Sequence, residues 1–267
     1  MRRALFLGLS LLPLFAMSCN AIEVRQRHLV VSGSPAFDPL MRDLAERFQT
    51  LHPGVRVDVS SASADRVLAE TREELVDVAL LGREVYLVEG LRGEEIARDG
   101  LAFIAHPSNP VPSLDERRLV GLLTRTYTGW SDVGGSAGRV VVVGNADGRD
   151  MRTAVLRRFG LESADVPLDA ALYRSAQVIE SVASNPQALG YVSLAALGDN
   201  QTVRTIALGG VSPTPETVRD GRYPYSRPLV LATRAHPNDL AAAFVEFGQS
   251  PEVHDLLARH GFVPKQP

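Results

Sequence analysis

Leu101-Ala-Phe-Ile-Ala-His-Pro-Ser-Asn-Pro-Val-Pro-Ser-Leu-Asp115, followed further on by Tyr127-Thr-Gly-Trp-Ser-Asp-Val-Gly-Gly135, holds the plainest structural signals in the chain. Leu101 to Ala105 is an unbroken apolar run, the pattern of a strand covered on both faces. Pro107, Pro110 and Pro112 then interrupt the backbone, because proline has no N–H to give to a sheet; the segment reads as a crossing between two lobes. From Leu114 to Leu123 the apolar residues Leu119, Leu122 and Leu123 fall on one helix face.

The same alternation extends in both directions. Residues 29–33 read as a buried strand ending in a turn, and Leu40, Leu44 and Phe48 recur every four residues on a helix that His52-Pro53-Gly54 stops. Val55 to Val59 alternates as a strand, Val67, Leu68 and Leu75 predict a second helix, and Val76 to Leu81 a third strand. Strand, helix, strand, helix, strand is the order of a parallel sheet covered by helices. Downstream, Val140 to Val143 reads as a strand and Met151 to Phe159 as a helix closed by Gly160. Gln177 to Ala183 follows as a helix, Gly190 to Val192 and Val203 to Leu208 as strands. A Gly/Pro-rich stretch leads to a strand over Pro228 to Thr233 and a terminal helix on Leu240, Phe244, Val245 and Phe247.

At 267 residues and 45% hydrophobic content the chain has material for one large or two small cores. Lys+Arg 28 against Asp+Glu 31 leaves a net charge of −3, which excludes a basic nucleic-acid footprint. A single cysteine, Cys19, excludes an internal disulfide framework and a Cys-based zinc site. The histidines (His28, His52, His106, His236, His254 and His260) show no metal spacing, and neither a Gly-x-Ser-x-Gly elbow nor a P-loop occurs. The acids nominate no catalytic pair, so an enzyme is not expected. Met1-Arg2-Arg3 followed by an uncharged run from Ala4 to Met17 has the order of a secretory leader, too short for a stable span. Cys19 after Ala16-Met17-Ser18 resembles a bacterial lipobox, with ordinary signal-peptidase cleavage as the other reading.

Across its length the chain resembles the phosphate-binding component of bacterial ABC importers. That family carries an apolar strand, Asn-Pro, a helix, and Gly-x-x-x-x-Trp-x-x-x-Gly-Gly; residues 101–135 keep the pattern except that Arg125 stands for the first glycine. Pro186-Gln-Ala-Leu-Gly-Tyr-Val192 and Gly221-Arg-Tyr-Pro-Tyr-Ser-Arg-Pro228 are further matches. The resemblance implies an α/β, two-lobed periplasmic binding protein fold of type II. Each lobe would be a mixed sheet flanked by helices, with two hinge crossings between them. Residues 1–18 would be a signal peptide, 19–28 a lipidated tether, 29–105 plus 224–267 the first lobe and 106–223 the second. It also implies an anion in the cleft, held by hydroxyls and by unpaired N–H groups at helix starts, and lobe closure rather than catalysis.

Carried over position by position, the expected ligand residues are Ser34, Pro35, Ala36 and Phe37 in the first loop. Ser61 and Ser63 follow in the second, Gly82 and Arg83 after the third strand, and Arg149, Asp150 and Met151 at the third loop. Several depart from the family: Ala36 replaces a threonine, Gly82 a serine, and Asn145 to Arg152 replaces Arg-x-x-x-Ser-Gly-Thr-Arg. Three missing hydroxyl donors correspond to about 5 kcal/mol toward a charged ligand. Arg149 can substitute as a forked donor, whereas Asp150 repels a dianion. Arg83, Arg149 and Arg152 each read either as an anion ligand or as an ordinary ion-paired or helix-start arginine, and Ser34 and Ser63 as donors or helix caps. Trp130 reads as a packing aromatic and Tyr223-Pro224-Tyr225 as a crossing. The expected partners are phosphate or another small oxyanion, ABC permease subunits, and a membrane reached through lipid on Cys19, for a monomer without cofactor or metal. The alternative is the same fold with a degenerate site, serving as an envelope sensor or protein-interaction lipoprotein.

Overall fold

The computed structural model describes residues 27–83, 85 and 90–265. The expected leader, Cys19 and nearly all of the tether lie outside the described residues. The chain runs β1 (Arg27–Gly33), α1 (Asp38–Leu51), β2 (Val55–Ser61), α2 (Ala64–Arg72), β3 (Val78–Leu81) and β4 (Leu91–Ala105). Then follow β5 (Ser113–Leu114), α3 (Glu116–Leu123), β6 (Val141–Asn145), α4 (Asp150–Phe159), β7 (Ala170–Leu172), α5 (Ser175–Ala183), β8 (Ala188–Ser193) and α6 (Leu194–Leu197). The remainder is β9 (Arg204–Thr205), β10 (Ala207–Leu208), α7 (Pro215–Arg219), β11 (Ser226–Arg234), α8 (Asp239–Gln249), α9 (His254–Arg259) and β12 (Val263–Pro264).

The strands line up as β2-β1-β3-β11-β4-β8-β6-β7, with β9 and β12 also on β4. Sheet pairs β1·β2, β1·β3, β6·β7 and β6·β8 are parallel, whereas β4 and β11 run antiparallel to their neighbours. Period-two alternation sorts the first lobe into two cores. Leu29, Val31, Val78, Leu80, Leu229 and Leu231 meet Leu44, Phe48 and Phe244 of α1 and α8 on one face. Ala79, Leu81, Val230 and Ala232 meet Val67 and Leu68 of α2 on the other. A separate core from Leu101 to Tyr225 fills the second lobe.

The crossings lie where β4 changes partner. Leu91 to Gly100 pair with β11, and Leu101 to Ala105 with β8. The chain returns beside the first crossing, where Leu101 N–H donates to Tyr225 O at 2.8 Å. The change of pairing partner therefore falls at Gly100/Leu101, with the return at Tyr225/Ser226, and not at the proline cluster. Those prolines are inside the second lobe, where the Arg204 guanidinium donates to Asn109 O at 2.6 Å and Val111 O at 2.8 Å. Two further expectations are corrected. Leu75, assigned to the apolar face of α2, lies beyond the helix end and is exposed, and the strand over 203–208 is two short pieces parted at Ile206, whose N–H donates to Phe103 O. Trp130 is buried and its Nε1 donates to Gln187 O at 3.0 Å.

Arg125, standing where the resembling proteins have glycine, has φ +65°. That left-handed conformation costs a non-glycine residue about 1–2 kcal/mol. Here the guanidinium offsets it by donating to Val140 O at 2.8 Å and Pro167 O at 3.2 Å and by pairing with Asp169. Arg125→Ala keeps the strain and loses these bonds, whereas Arg125→Gly loses only the bonds. Urea unfolding is expected to rank glycine above alanine by about 1 kcal/mol at this position, both below the parent; alanine above glycine would contradict the account.

Candidate functional site

Two cavities, about 410 and 550 Å³, lie in the cleft between the lobes. The first is bordered by Ser34, Pro35, Ala36 and Phe37 from one lobe and by Arg149, Asp150 and Met151 from the other. Ser63, Gly82 and Arg83 border the second, opposite Gly148 and Asp150. Asp150 and Arg227 border both. The expected residues thus gather along the cleft apart from Ser61, which is exposed at the end of β2, in register with Gly33, and borders neither cavity.

Local sequence explains how each loop is held. Pro35 opens a short 3-10 turn after β1, and Ser34 Oγ accepts from Ala36 N–H at 3.5 Å, a length at which the bond is weak and the N–H still available. Ser63 precedes α2 without making a side-chain cap, so its hydroxyl is uncommitted to the helix. Arg149 precedes α4, likewise without a side-chain cap; its guanidinium lies over the Tyr173 ring at 5.4 Å and leaves Nε buried without a partner. First-turn N–H groups of α4 have no intrahelical acceptor, and the helix start carries partial positive charge.

Two expected cations are committed elsewhere. Arg83 donates to Asp65 Oδ1 at 2.9 Å within its own lobe, so it borders the cavity as half of an ion pair. Arg152 points into the second lobe, where it donates to Asp147 at 2.6 Å, to Ser163 Oγ at 2.9 Å and O at 3.1 Å, and to Val166 O at 3.0 Å. The Asp147 carboxyl, hydrogen-bonded by Ser163 and then by Arg152, is held below the usual carboxylate range. Arg152 therefore organises the third loop from behind and does not reach the cleft.

A buried cation that borders both cavities is Arg227 on β11. Its side chain is 6% exposed; Nε and Nη2 donate to Asp99 Oδ2 at 3.0 and 2.9 Å, while Nη1 is buried without a partner. The guanidinium stacks on Phe37 at 5.3 Å. Glycine at position 82 makes this possible. A Cβ there would stand 2.8 Å from Arg227 Nη1 and 3.0 Å from Phe37 Cζ, so the serine of the resembling proteins would collide with the arginine. The hydroxyl lost at position 82 is matched by a guanidinium N–H in the space it vacates. Arg227 escaped sequence reading because a lone arginine before proline carries no spacing signal; the available hint was a charge directly before the apolar run from Pro228 to Thr233.

Asp99 connects this arginine to the hinge. It precedes the partner change at Gly100, and its Oδ1 accepts from Ser193 Oγ at 2.8 Å and Ala195 N–H at 3.3 Å in the second lobe. Asp150 of the second lobe borders the same two cavities, and its Oδ2 is buried without a partner. A donor from one lobe and an acceptor from the other thus remain open at the junction of the two cavities.

A match to the PBP superfamily domain spans residues 21–252. The chain belongs to that superfamily. Among curated proteins it is 24% identical over 254 residues to the phosphate-binding protein PstS of Bacillus subtilis, covering 92% of this chain and 84% of the relative. Among solved structures, an ABC-type phosphate transport receptor from Vibrio cholerae superposes with a TM-score of 0.80 at 24% identity, covering 90% of this chain and all of the receptor. A phosphate ABC transporter substrate-binding protein from Clostridium perfringens, with bound phosphate, gives 0.78 at 26% identity over the same share. The two-lobed fold expected from residues 101–135 is the fold of these superfamily members.

Proposed function

We propose that this PBP-superfamily chain is the extracytoplasmic solute-binding component of an ABC-type importer, tethered by lipid on Cys19, and that it holds phosphate or a related small oxyanion between its lobes. The relatives are named as binding proteins and transport receptors, and the reading contains no catalytic step. One observation carries the ligand assignment. Arg227 Nη1 and Asp150 Oδ2 are buried, unpartnered and opposite in sign, and their side chains come from opposing lobes to border the same two cavities. A guest that satisfies both must accept from the guanidinium and donate to the carboxylate. A protonated phosphate oxyanion does both, whereas sulfate, which has no proton at neutral pH, meets Asp150 as charge against charge. Closing the lobes on such a guest removes water from both contacts and strengthens them.

Calorimetric titration with phosphate and sulfate tests this. The wild-type protein is expected to prefer phosphate by tenfold or more, and Asp150→Asn to narrow that ratio severalfold by improving sulfate binding. Equal affinity for both anions in the wild type would overturn the role of Asp150. A second reading, the fold with a degenerate site used to sense or to bind another protein, is favoured by the Arg83–Asp65 pair, which leaves that arginine half-neutralised. It predicts a folded protein silent toward every oxyanion.

A further inference from the structure

The first cavity is larger and differently furnished than a five-atom ion requires. At about 410 Å³ it falls within the roughly 300–1,000 Å³ of sites that enclose organic ligands. Three arginines border it, Arg149, Arg174 and Arg227, against one acidic residue, Asp150. Neither Arg149 nor Arg174 has an acidic partner among the described residues. Leu40, Met151 and Phe262 give the cavity an apolar stretch of wall, beside the polar Asn145, Ser175, Ser193 and His260. At the border stands Tyr173, 66% exposed, an unusual position for a large ring, with Arg149 over it.

We propose that the preferred ligand is an organic phosphate or phosphonate: an oxyanion head on Arg227 Nη1, and a carbon-bearing tail in the first cavity, along Met151 and Phe262 toward Tyr173, with a hydrogen-bond donor for Asp150. The inference rests on the oxyanion reading of the cleft. Burying even two methylene groups of such a tail raises affinity roughly tenfold. A tail hydroxyl or ammonium gives Asp150 Oδ2 the partner it lacks.

The test is a calorimetric series on ligand-stripped protein with inorganic phosphate, glycerol 3-phosphate, 2-aminoethyl phosphate and phenyl phosphate. At least one ester is expected to bind tenfold or more tightly than inorganic phosphate. Tyr173→Ala should reduce the affinity of that ester several times more than it reduces that of phosphate. If inorganic phosphate binds as tightly as every ester, the tail site is overturned and the oxyanion reading stands. If no probe binds to protein that retains its melting transition, both are overturned. An ester preference that Tyr173→Ala leaves intact overturns the placement of the tail.

Discussion

Replacing Asp99 by alanine is expected to cost about 3–5 kcal/mol of stability, lowering the melting temperature by on the order of 10 °C. Asp99 is 1% exposed and is the acceptor for two nitrogens of Arg227, itself buried, so its removal leaves a guanidinium without a counter-charge in a water-poor hinge. The same change strips the acceptor from Ser193 Oγ and Ala195 N–H, the bonds that lead from the crossing strand into the second lobe. The Coulombic origin can be separated from lost packing. Removing both charges, as Asp99→Leu with Arg227→Met, should recover much of the loss, since an apolar pair of similar volume need not be desolvated as ions. Denaturant unfolding of the parent, the single and the double variant checks this; a single variant within 1 kcal/mol of the parent would contradict it.

Arg227→Lys is expected to weaken oxyanion binding by about 10–150-fold, the loss of one hydrogen bond to a charged ligand of roughly 1.5–3 kcal/mol. Lysine keeps a positive charge for Asp99 but has no planar fork, so it cannot hold the carboxylate with two donors and present a third to the cleft. The change should thus act on affinity far more than on the melting temperature. Gly82→Ser approaches the same point from the other side. Its side chain enters the space 2.8 Å from Nη1, so it should displace the arginine and lower affinity even though it restores a hydroxyl. If Arg227→Lys binds phosphate as the parent does, the guanidinium is only a structural partner of Asp99.

The fold was legible wherever burial is periodic. Leu40, Leu44 and Phe48 announced α1, and Val55, Val57 and Val59 announced β2, because each element covers a single core with one face. The first ten residues of β4 were not legible: Leu91 to Gly100 carries five charged residues and two glycines, and it is a strand because β11 lies along it. That pairing is tertiary and leaves no local periodicity. The partner change at Gly100/Leu101 was hidden for the same reason, since it has no turn chemistry, whereas the prolines after it do. At the cleft, the loops around residues 34–37 and 149–151 were found by resemblance. What their residues do depends on pairs distant in sequence, such as Arg83 with Asp65, Arg152 with Ser163 and Arg227 with Asp99. Spacing along the chain does not encode such pairs. These pairings set Arg83 against Asp65 and leave Arg227 Nη1 open.

Calorimetric titration of the purified, ligand-stripped protein with inorganic phosphate measures the central assignment most directly. Binding of one phosphate per chain, weakened by Arg227→Lys, is the predicted result. A protein that keeps its melting transition, yet evolves no heat with phosphate or with any phosphate ester, would contradict the assignment of the cleft to an oxyanion.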